Sequence, residues 1–335
     1  MRAFTVLVTS PRLAQEAQQI LQAAGGDLIY MDDPVTEEAL IAKFSDASIA
    51  AVMMRGSPPF TSRVVRAARD LRIIAKVGAG FENVDMDEAT ARGIAVMTSG
   101  AASADAVAEH TLALMLSLVR ELPRLDRNIR LGQWEQRHFK GREFSALTVG
   151  IVGYGRIGRK VAQLVAAFGA RVLVHSRSAR SDSVAAGGIM LEPDLDRLLR
   201  SVDILSLHGR LTDSTRGMIG RRELALMKPT AYLINTARGA IVDEAALVDA
   251  LKGGRLAGAG LDAFAVEPTT SDNPLFALPN VLCTSHVASA AQETVIRVAT
   301  LAAENVVACL QGRDYDHGTL ANPEALARAR VNACD

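Results

Sequence analysis

The segment Thr148-Val-Gly-Ile-Val-Gly-Tyr-Gly-Arg-Ile-Gly158 constrains the fold most, because it joins an apolar strand to a helix through glycines at fixed offsets. The strand-like Val149-Gly150-Ile151-Val152 runs into Gly153, Gly155 and Gly158, then into a helical pattern over Arg156–Phe168 with one apolar face. Each glycine has its own task in such a turn. Gly153 permits the tight bend, Gly155 lets backbone approach a pyrophosphate, and Gly158 lets helix and strand pack closely. The helix start at Arg156 and Ile157 offers N–H groups and the positive end of the dipole to phosphate. A strand, turn and helix of this kind predict a parallel sheet that binds a dinucleotide.

The remainder of the chain alternates in the same way. Strand-like runs at Thr5–Val8, Leu28–Met31, Ile49–Met54, Ile73–Val77 and Ile94–Met97 are separated by helical patterns at Arg12–Ala24, Glu37–Phe44 and Ser62–Asp70. Helical spacing from Ala104 to about Leu131 reads as one long spine between two lobes. A second series of strands follows at Thr148–Val152, Val172–His175, Ile204–Leu207, Ala231–Ile234, Ala257–Leu261 and Val281–Thr284, and a helix at roughly Ala290–Leu310. The expected class is α/β, with two doubly wound Rossmann-like lobes and a final helix free to cross back to the first. A length of 335 residues suits two such domains.

Charge and cysteine content narrow the function classes. Lys+Arg and Asp+Glu number 37 each, and zero net charge argues against a nucleic-acid partner. Cys283, Cys309 and Cys334 form no CxxC pair and no metal-ligand spacing, so the expectation is a reduced, cytoplasmic chain with no metal site. The N-terminus reads as a first strand and not a signal peptide, and no apolar stretch approaches membrane-spanning length, so no membrane partner is expected.

The coenzyme type is addressed by the strand Arg171–His175, which ends in Ser176-Arg177-Ser178-Ala179-Arg180. An NAD site places a carboxylate about 20 residues past the glycines to hold the ribose 2′-hydroxyl. Here the first acid is Asp182, beyond the strand end, whereas Ser176, Arg177 and Arg180 suit a 2′-phosphate. NADP is favoured and NAD is possible.

Further candidate chemistry lies at the ends of later strands, where doubly wound sheets bind ligands. Ile234–Asp243 contains Arg238, Gly260–Pro268 contains Glu267, and Cys283–His286 ends on a histidine. An Arg, a Glu and a His suit hydride transfer to a small keto acid. Arg238 is suited to hold a carboxylate and polarise a carbonyl, His286 to pass the proton, and Glu267 to orient the imidazole and raise its pKa.

With these blocks, together with Val77-Gly-Ala-Gly-Phe-Glu-Asn-Val-Asp85 and Val107-Ala-Glu-His-Thr111, the sequence resembles the D-isomer-specific 2-hydroxyacid dehydrogenase family over nearly its whole length. The resemblance implies a soluble NAD(P)-dependent oxidoreductase acting on a small D-2-hydroxy acid or its 2-oxo acid, with Arg238, Glu267 and His286 catalytic. It also implies that Asp262 lies near the nicotinamide carboxamide and that Gly209, Thr236 and Ala237 line the coenzyme. Gly78, Ala79 and Gly80 look like the loop whose amides hold the substrate carboxylate, and Arg55 falls where some members contact substrate. The family plan has a substrate domain of residues 1–100 completed by 290–335, a dinucleotide-binding domain of residues 101–289, and a cleft between the lobes. It further implies a homodimer, with Trp134, Arg120 and the spine helix serving assembly.

Three positions depart from the family pattern. Ser285 stands where a proline is frequent before the histidine, Arg210 replaces another frequent proline, and Ser103 stands where an asparagine is common. The rival readings are a non-enzymatic, corepressor-like dinucleotide sensor on the same fold, or a formate or phosphite dehydrogenase. Ser285 is not the glutamine expected in the formate enzymes, and Ala79 is not the lysine expected in the phosphite enzymes. The choice among glyoxylate, hydroxypyruvate, phosphoglycerate and bulkier oxo acids stays open, and no separate C-terminal regulatory domain is expected.

Overall fold

Strands that are apolar on both faces build two all-parallel sheets, each in its own unit of the computed structural model, which describes residues 3–56, 58–177, 188–313 and 319–325. One unit comprises Met1–Ser103 with Ala290–Asp335, and the other Ala104–Ser289.

The first unit holds a five-stranded sheet in the order β2-β1-β3-β4-β5. Its strands are β1 (Phe4–Val8), β2 (Gly26–Tyr30), β3 (Ile49–Met54), β4 (Ile73–Lys76) and β5 (Ala95–Thr98). Its helices are α1 (Gln15–Ala23), α2 (Glu37–Asp46), α3 (Ser62–Ala67), α4 (Met86–Ala91) and the C-terminal helix Gln292–Gln311. Along β1, Val6 and Val8 face Ala17 and Leu21 of α1 and the Ala299, Ala302 and Ala303 row of the C-terminal helix. Leu7 faces the opposite way, toward Leu40 and Phe44 of α2 and Val64 and Val65 of α3. This two-sided burial is why the strands read as continuous apolar runs. Each fully buried Val, Leu or Ile contributes about 1.5–3 kcal/mol.

The second unit holds a seven-stranded sheet in the order β12-β11-β10-β9-β6-β7-β8. The strands are β6 (Thr148–Val152), β7 (Arg171–His175), β8 (Ile189–Leu191), β9 (Ile204–Leu207), β10 (Tyr232–Asn235), β11 (Gly258–Leu261) and β12 (Val281–Cys283). The helices are α5 (Ala104–Val119), α6 (Leu122–Arg130), α7 (Arg156–Ala167), α8 (Leu195–Ser201), α9 (Arg221–Leu226) and α10 (Glu244–Lys252). From β6 the chain proceeds outward through β7 and β8, then returns to β9 on the other side of β6. Connections therefore diverge at the C-terminal ends of β6 and β9, the switch point where such sheets bind ligands. The edge strand β8 is not among the strand-like runs of the sequence, since three residues carry too little pattern.

One expectation needs correction. The spine is not one helix from Ala104 to Leu131: α5 stops at Val119, Glu121 turns left-handed at φ 48°, and α6 begins at Leu122. Pro123 explains the break, because it has no N–H to give the Val119 carbonyl and its ring clashes there. The Gly100–Val119 stretch is 20 residues long and suits a membrane span by length and composition only, its apolar run being interrupted by Asp105, Glu109 and His110. Its most apolar part is mostly buried within the protein, and α5 packs on α7, β10 and β11 as a core helix.

Candidate active site

The glycine turn lies at the switch point, and two of its three glycines, Gly153 and Gly158, are sterically required. Gly153 adopts φ 94°, and a Cβ on it would come within 2.6 Å of the Gly209 nitrogen. The turn after β6 is thus pressed against the turn after β9. A Cβ on Gly158 would fall 2.0 Å from the Gly153 carbonyl oxygen, so α7 lies directly on the turn. Gly155 differs. At φ −78° it is open to any residue, and nothing lies within 4 Å of its added Cβ. Gly155 is also the N-cap of α7 and brings no capping side chain, so the first-turn amides at Arg156–Gly158 face the same opening. An open cradle at a helix N-terminus fits the pyrophosphate of a dinucleotide.

The neighbouring strand ends complete that rim. The His175 carbonyl accepts the Gly153 amide at 2.9 Å, which places Ser176 and the exposed Arg177 beside the turn. Arg180 and Asp182 lie outside the described residues. After β9, burial pushes His208 down to about 3, so it adds no charge there, and its Nε2 meets Ser206 Oγ at 2.8 Å. After β10, Thr236 Oγ1 meets Thr111 Oγ1 of α5 at 2.8 Å, and the Ala237 amide donates to Asn235 Oδ1 at 3.0 Å. Asp262, at the end of β11, is 1% exposed.

Arg238, Glu267 and His286 converge within this unit. His286 Nδ1 is 2.7 Å from Glu267 Oε2, and the other carboxylate oxygen accepts the Phe264 amide at 2.8 Å. Arg238 follows β10, its carbonyl accepting from Asn235 Nδ2 at 2.9 Å and its Nη1 donating to the Ala237 carbonyl at 2.8 Å. Gly239 lets that turn approach the Glu267 loop, since a Cβ on it would overlap the Phe264 carbonyl carbon at 1.9 Å. Burial opposes ionisation of Glu267, but the His286 bond, the Phe264 amide and the nearby His286 and Arg238 charges outweigh it and lower its pKa. The Glu267 hydrogen bond in turn raises the pKa of His286, against burial and the Arg238 charge. The pair therefore favours carboxylate and imidazolium. Cys283 nearby is no nucleophile, because burial pushes its thiol up to about 11.

The remaining candidates lie in the first unit. Arg55 follows β3 with an exposed side chain, its backbone held by Thr9 Oγ1 at 3.0 Å. Gly78 adopts φ 141° after β4, but its amide is already given to Ser99 Oγ and to the Lys76 carbonyl, each at 3.0 Å. Among the described residues no acceptor is recorded for the Ala79 and Gly80 amides, so these two are the donors that the loop can offer. Sequence reasoning missed Lys76, which is 6% exposed and whose Nζ donates to the Gly56 carbonyl beside Arg55. It also assigned no role to His110 and Thr284, whose hydroxyl–imidazole contact spans most of the second unit in sequence. An isolated lysine, histidine or threonine carries no spacing signal that reveals such a contact.

The chain is similar to known proteins over most of its length. A family model described as D-isomer specific 2-hydroxyacid dehydrogenase, NAD binding domain, matches residues 112–288. The chain is 36% identical over 307 residues to a D-3-phosphoglycerate dehydrogenase of Methanocaldococcus jannaschii, a match covering 92% of this chain and 57% of that protein. It thus spans little more than half the length of that relative. It is 41% identical over 287 residues to a glyoxylate reductase of Aeropyrum pernix, covering 84% of this chain and 85% of that one. The solved structure of an NADPH-dependent glyoxylate/hydroxypyruvate reductase from Sinorhizobium meliloti, in complex with NADP and malonate, superposes with TM-score 0.83 at 30% identity. That match covers 97% of this chain and 98% of the other.

Proposed function

Since the chain belongs to the D-isomer-specific 2-hydroxyacid dehydrogenase family, we propose that it interconverts a small D-2-hydroxy acid and its 2-oxo acid with a nicotinamide coenzyme. The observation that carries this reading is the 2.7 Å His286–Glu267 pair under the charge of Arg238, on segments that follow β10, β11 and β12 of the sheet whose β6 leads into the glycine cradle. A bound nicotinamide supplies or accepts the hydride. The protein's part is to bind and to move a proton. Arg238 holds the carboxylate and polarises the carbonyl of the oxo acid. Because Nδ1 of His286 is committed to Glu267, Nε2 is the atom that exchanges a proton with the substrate oxygen. Glu267 orients the ring and keeps it protonated until that exchange. Gly78–Gly80 and Arg55 are assigned to substrate binding, with Ala79 and Gly80 as the amide donors.

For the coenzyme, Ser176 and Arg177 at the end of β7 support NADP over NAD. The test is a panel of 2-oxo acids assayed with NADPH and NADH in parallel, followed by loss of coenzyme absorbance. Expected are turnover of at least one oxo acid and a preference for NADPH of about tenfold or more, the worth of one charge-assisted contact. In Arg177→Asp that preference should disappear. Equal use of the two coenzymes by the wild type overturns the NADP assignment, and no turnover on any oxo acid overturns the reaction class.

Assembly as a homodimer is supported by α6 and the loop after it. No residue of α6 is buried, and Leu122, Ile129, Leu131 and Trp134 are 51, 47, 70 and 74% exposed. Apolar groups of this size left open mark a partner surface. Arg124, bonded to Glu135 at 2.7 Å, holds that loop against the helix, and Arg120 lies exposed at its base. Light scattering should give a dimer for the wild type and a monomer for the Leu131→Asp, Trp134→Asp double variant; an unchanged mass in that variant excludes this surface. Cys283 and Cys309, neither in a disulfide, support a reducing cytoplasmic setting.

A further inference from the structure

His286 carries the proton chemistry in a backbone conformation that L-residues rarely adopt, φ 55°. In this chain no proline precedes it, since Ser285 occupies that position, so no ring stiffens the approach to the left-handed residue. The loop must be held by hydrogen bonds. They converge on one carboxylate: Asp262 Oδ1 accepts the Thr284 hydroxyl at 2.6 Å and the Val287 amide at 2.9 Å, and Oδ2 accepts the Ala288 amide at 2.9 Å. Groups on both sides of His286 are therefore tied to the same side chain, itself 1% exposed just after β11.

Thr284 has a single hydroxyl proton, and its short bond to Asp262 uses it. The contact of 3.0 Å between Thr284 Oγ1 and His110 Nε2 must then be donated by the imidazole. That fixes His110 in the tautomer protonated at Nε2, which also lies 3.7 Å from Asp262 Oδ1. His110 is anchored in α5 next to Thr111, whose hydroxyl donates to the Val107 carbonyl at 2.7 Å and meets Thr236 at the end of β10. One rigid helix thus braces two strand ends of the site. The chain His110, Thr284, Asp262 runs from that helix to the Val287 and Ala288 amides just after His286.

We propose that His110 is a positioning residue: through Thr284 and Asp262 it holds the Ser285–Ala288 loop in the left-handed turn that sets His286 against Glu267. The inference rests on the functional reading above for His286, but its geometry is independent of which oxo acid is used. The charged groups acting on His286 are Glu267, Arg238 and Asp262, with Glu244 of α10 bonded to the Ala265 amide in the Glu267 loop. Loosening the turn separates His286 from Glu267 and removes the main cause of its raised pKa.

The test uses Thr284→Val, which keeps the shape and loses the hydroxyl, beside Thr284→Ser, which keeps the hydroxyl. His110→Phe and His110→Gln form the matching pair, Gln retaining a donor. Imidazole NMR titration of the protein without coenzyme, with the His286 signal assigned by its absence in His286→Gln, reads the turn directly. Expected in Thr284→Val and His110→Phe are a His286 pKa lowered toward the ordinary imidazole value and kcat reduced about tenfold or more. The KM for the oxo acid should change less than about threefold, because Arg238 is untouched. Thr284→Ser and His110→Gln should restore both readouts. A His286 titration in Thr284→Val that matches the wild type overturns the proposal, as does equal loss in Thr284→Val and Thr284→Ser. A wild type without activity on any oxo acid would overturn the reaction class instead, and the NMR titration would still decide the role of His110.

Discussion

His286→Ala should lower turnover of the accepted oxo acid on the order of 10²–10⁴-fold, the range for loss of a positioned general acid–base group. Coenzyme affinity should stay within about threefold of the wild type, because the cradle at Gly153–Gly158 shares no hydrogen bond with His286. The pH profile carries the sign of the pair. Bonding to Glu267 raises His286 above the ordinary 6.5, so its proton is retained through that pH and lost above it. Reductive kcat/KM, which consumes the proton, should fall as pH rises, with the midpoint of its alkaline limb above 6.5. Oxidation, which needs the neutral ring, should rise over the same limb. Glu267 lies below its ordinary 4.5, so its limb is confined to more acidic pH. Glu267→Gln should move the alkaline limb toward 6.5, and His286→Ala should abolish it. Near wild-type turnover in His286→Ala, with the limb intact, would remove His286 from the chemistry.

The glycine turn predicts an equally large but differently composed loss. In Gly158→Ala the new Cβ would lie 2.0 Å from the Gly153 carbonyl oxygen, a backbone atom that cannot swing aside as a side chain would. Helix α7 must shift away from β6, which should cost about 1–3 kcal/mol of stability and distort the amides that face the phosphates. Gly155→Ala meets no atom within 4 Å and an ordinary φ of −78°, so its melting temperature should match the wild type. Its methyl group nonetheless enters the space a pyrophosphate needs. Coenzyme affinity should fall about tenfold or more in both variants, measured by calorimetric titration. Full coenzyme affinity in Gly155→Ala would move the dinucleotide away from this turn.

The contrast between these variants shows which features were legible in advance. A glycine turn, a strand and a helix are local patterns, so the dinucleotide fold and the residue types at its rim follow from spacing alone. The same locality misled at α5 and α6, where apolar spacing runs past Pro123 although the helix cannot. It also passed over β8, whose three residues acquire strand structure only by pairing with β7.

Residue type and order at strand ends singled out Arg238, Glu267 and His286 without saying which atoms meet. Only the tertiary structure commits Nδ1 of His286 to Glu267, which makes Nε2 the nitrogen that the proposed proton transfer must use. It alone shows that the Gly78 amide is spent on Ser99, which narrows the proposed amide donors to Ala79 and Gly80. It alone brings His110 to Thr284, residues from α5 and the end of β12 with no shared motif. The sequence by itself determined the sheet type, the phosphate cradle and the chemical groups available, because those depend on short-range periodicity and backbone freedom. The tertiary structure decided tautomer, protonation and aim, because these depend on where loops distant in sequence come to rest against one another.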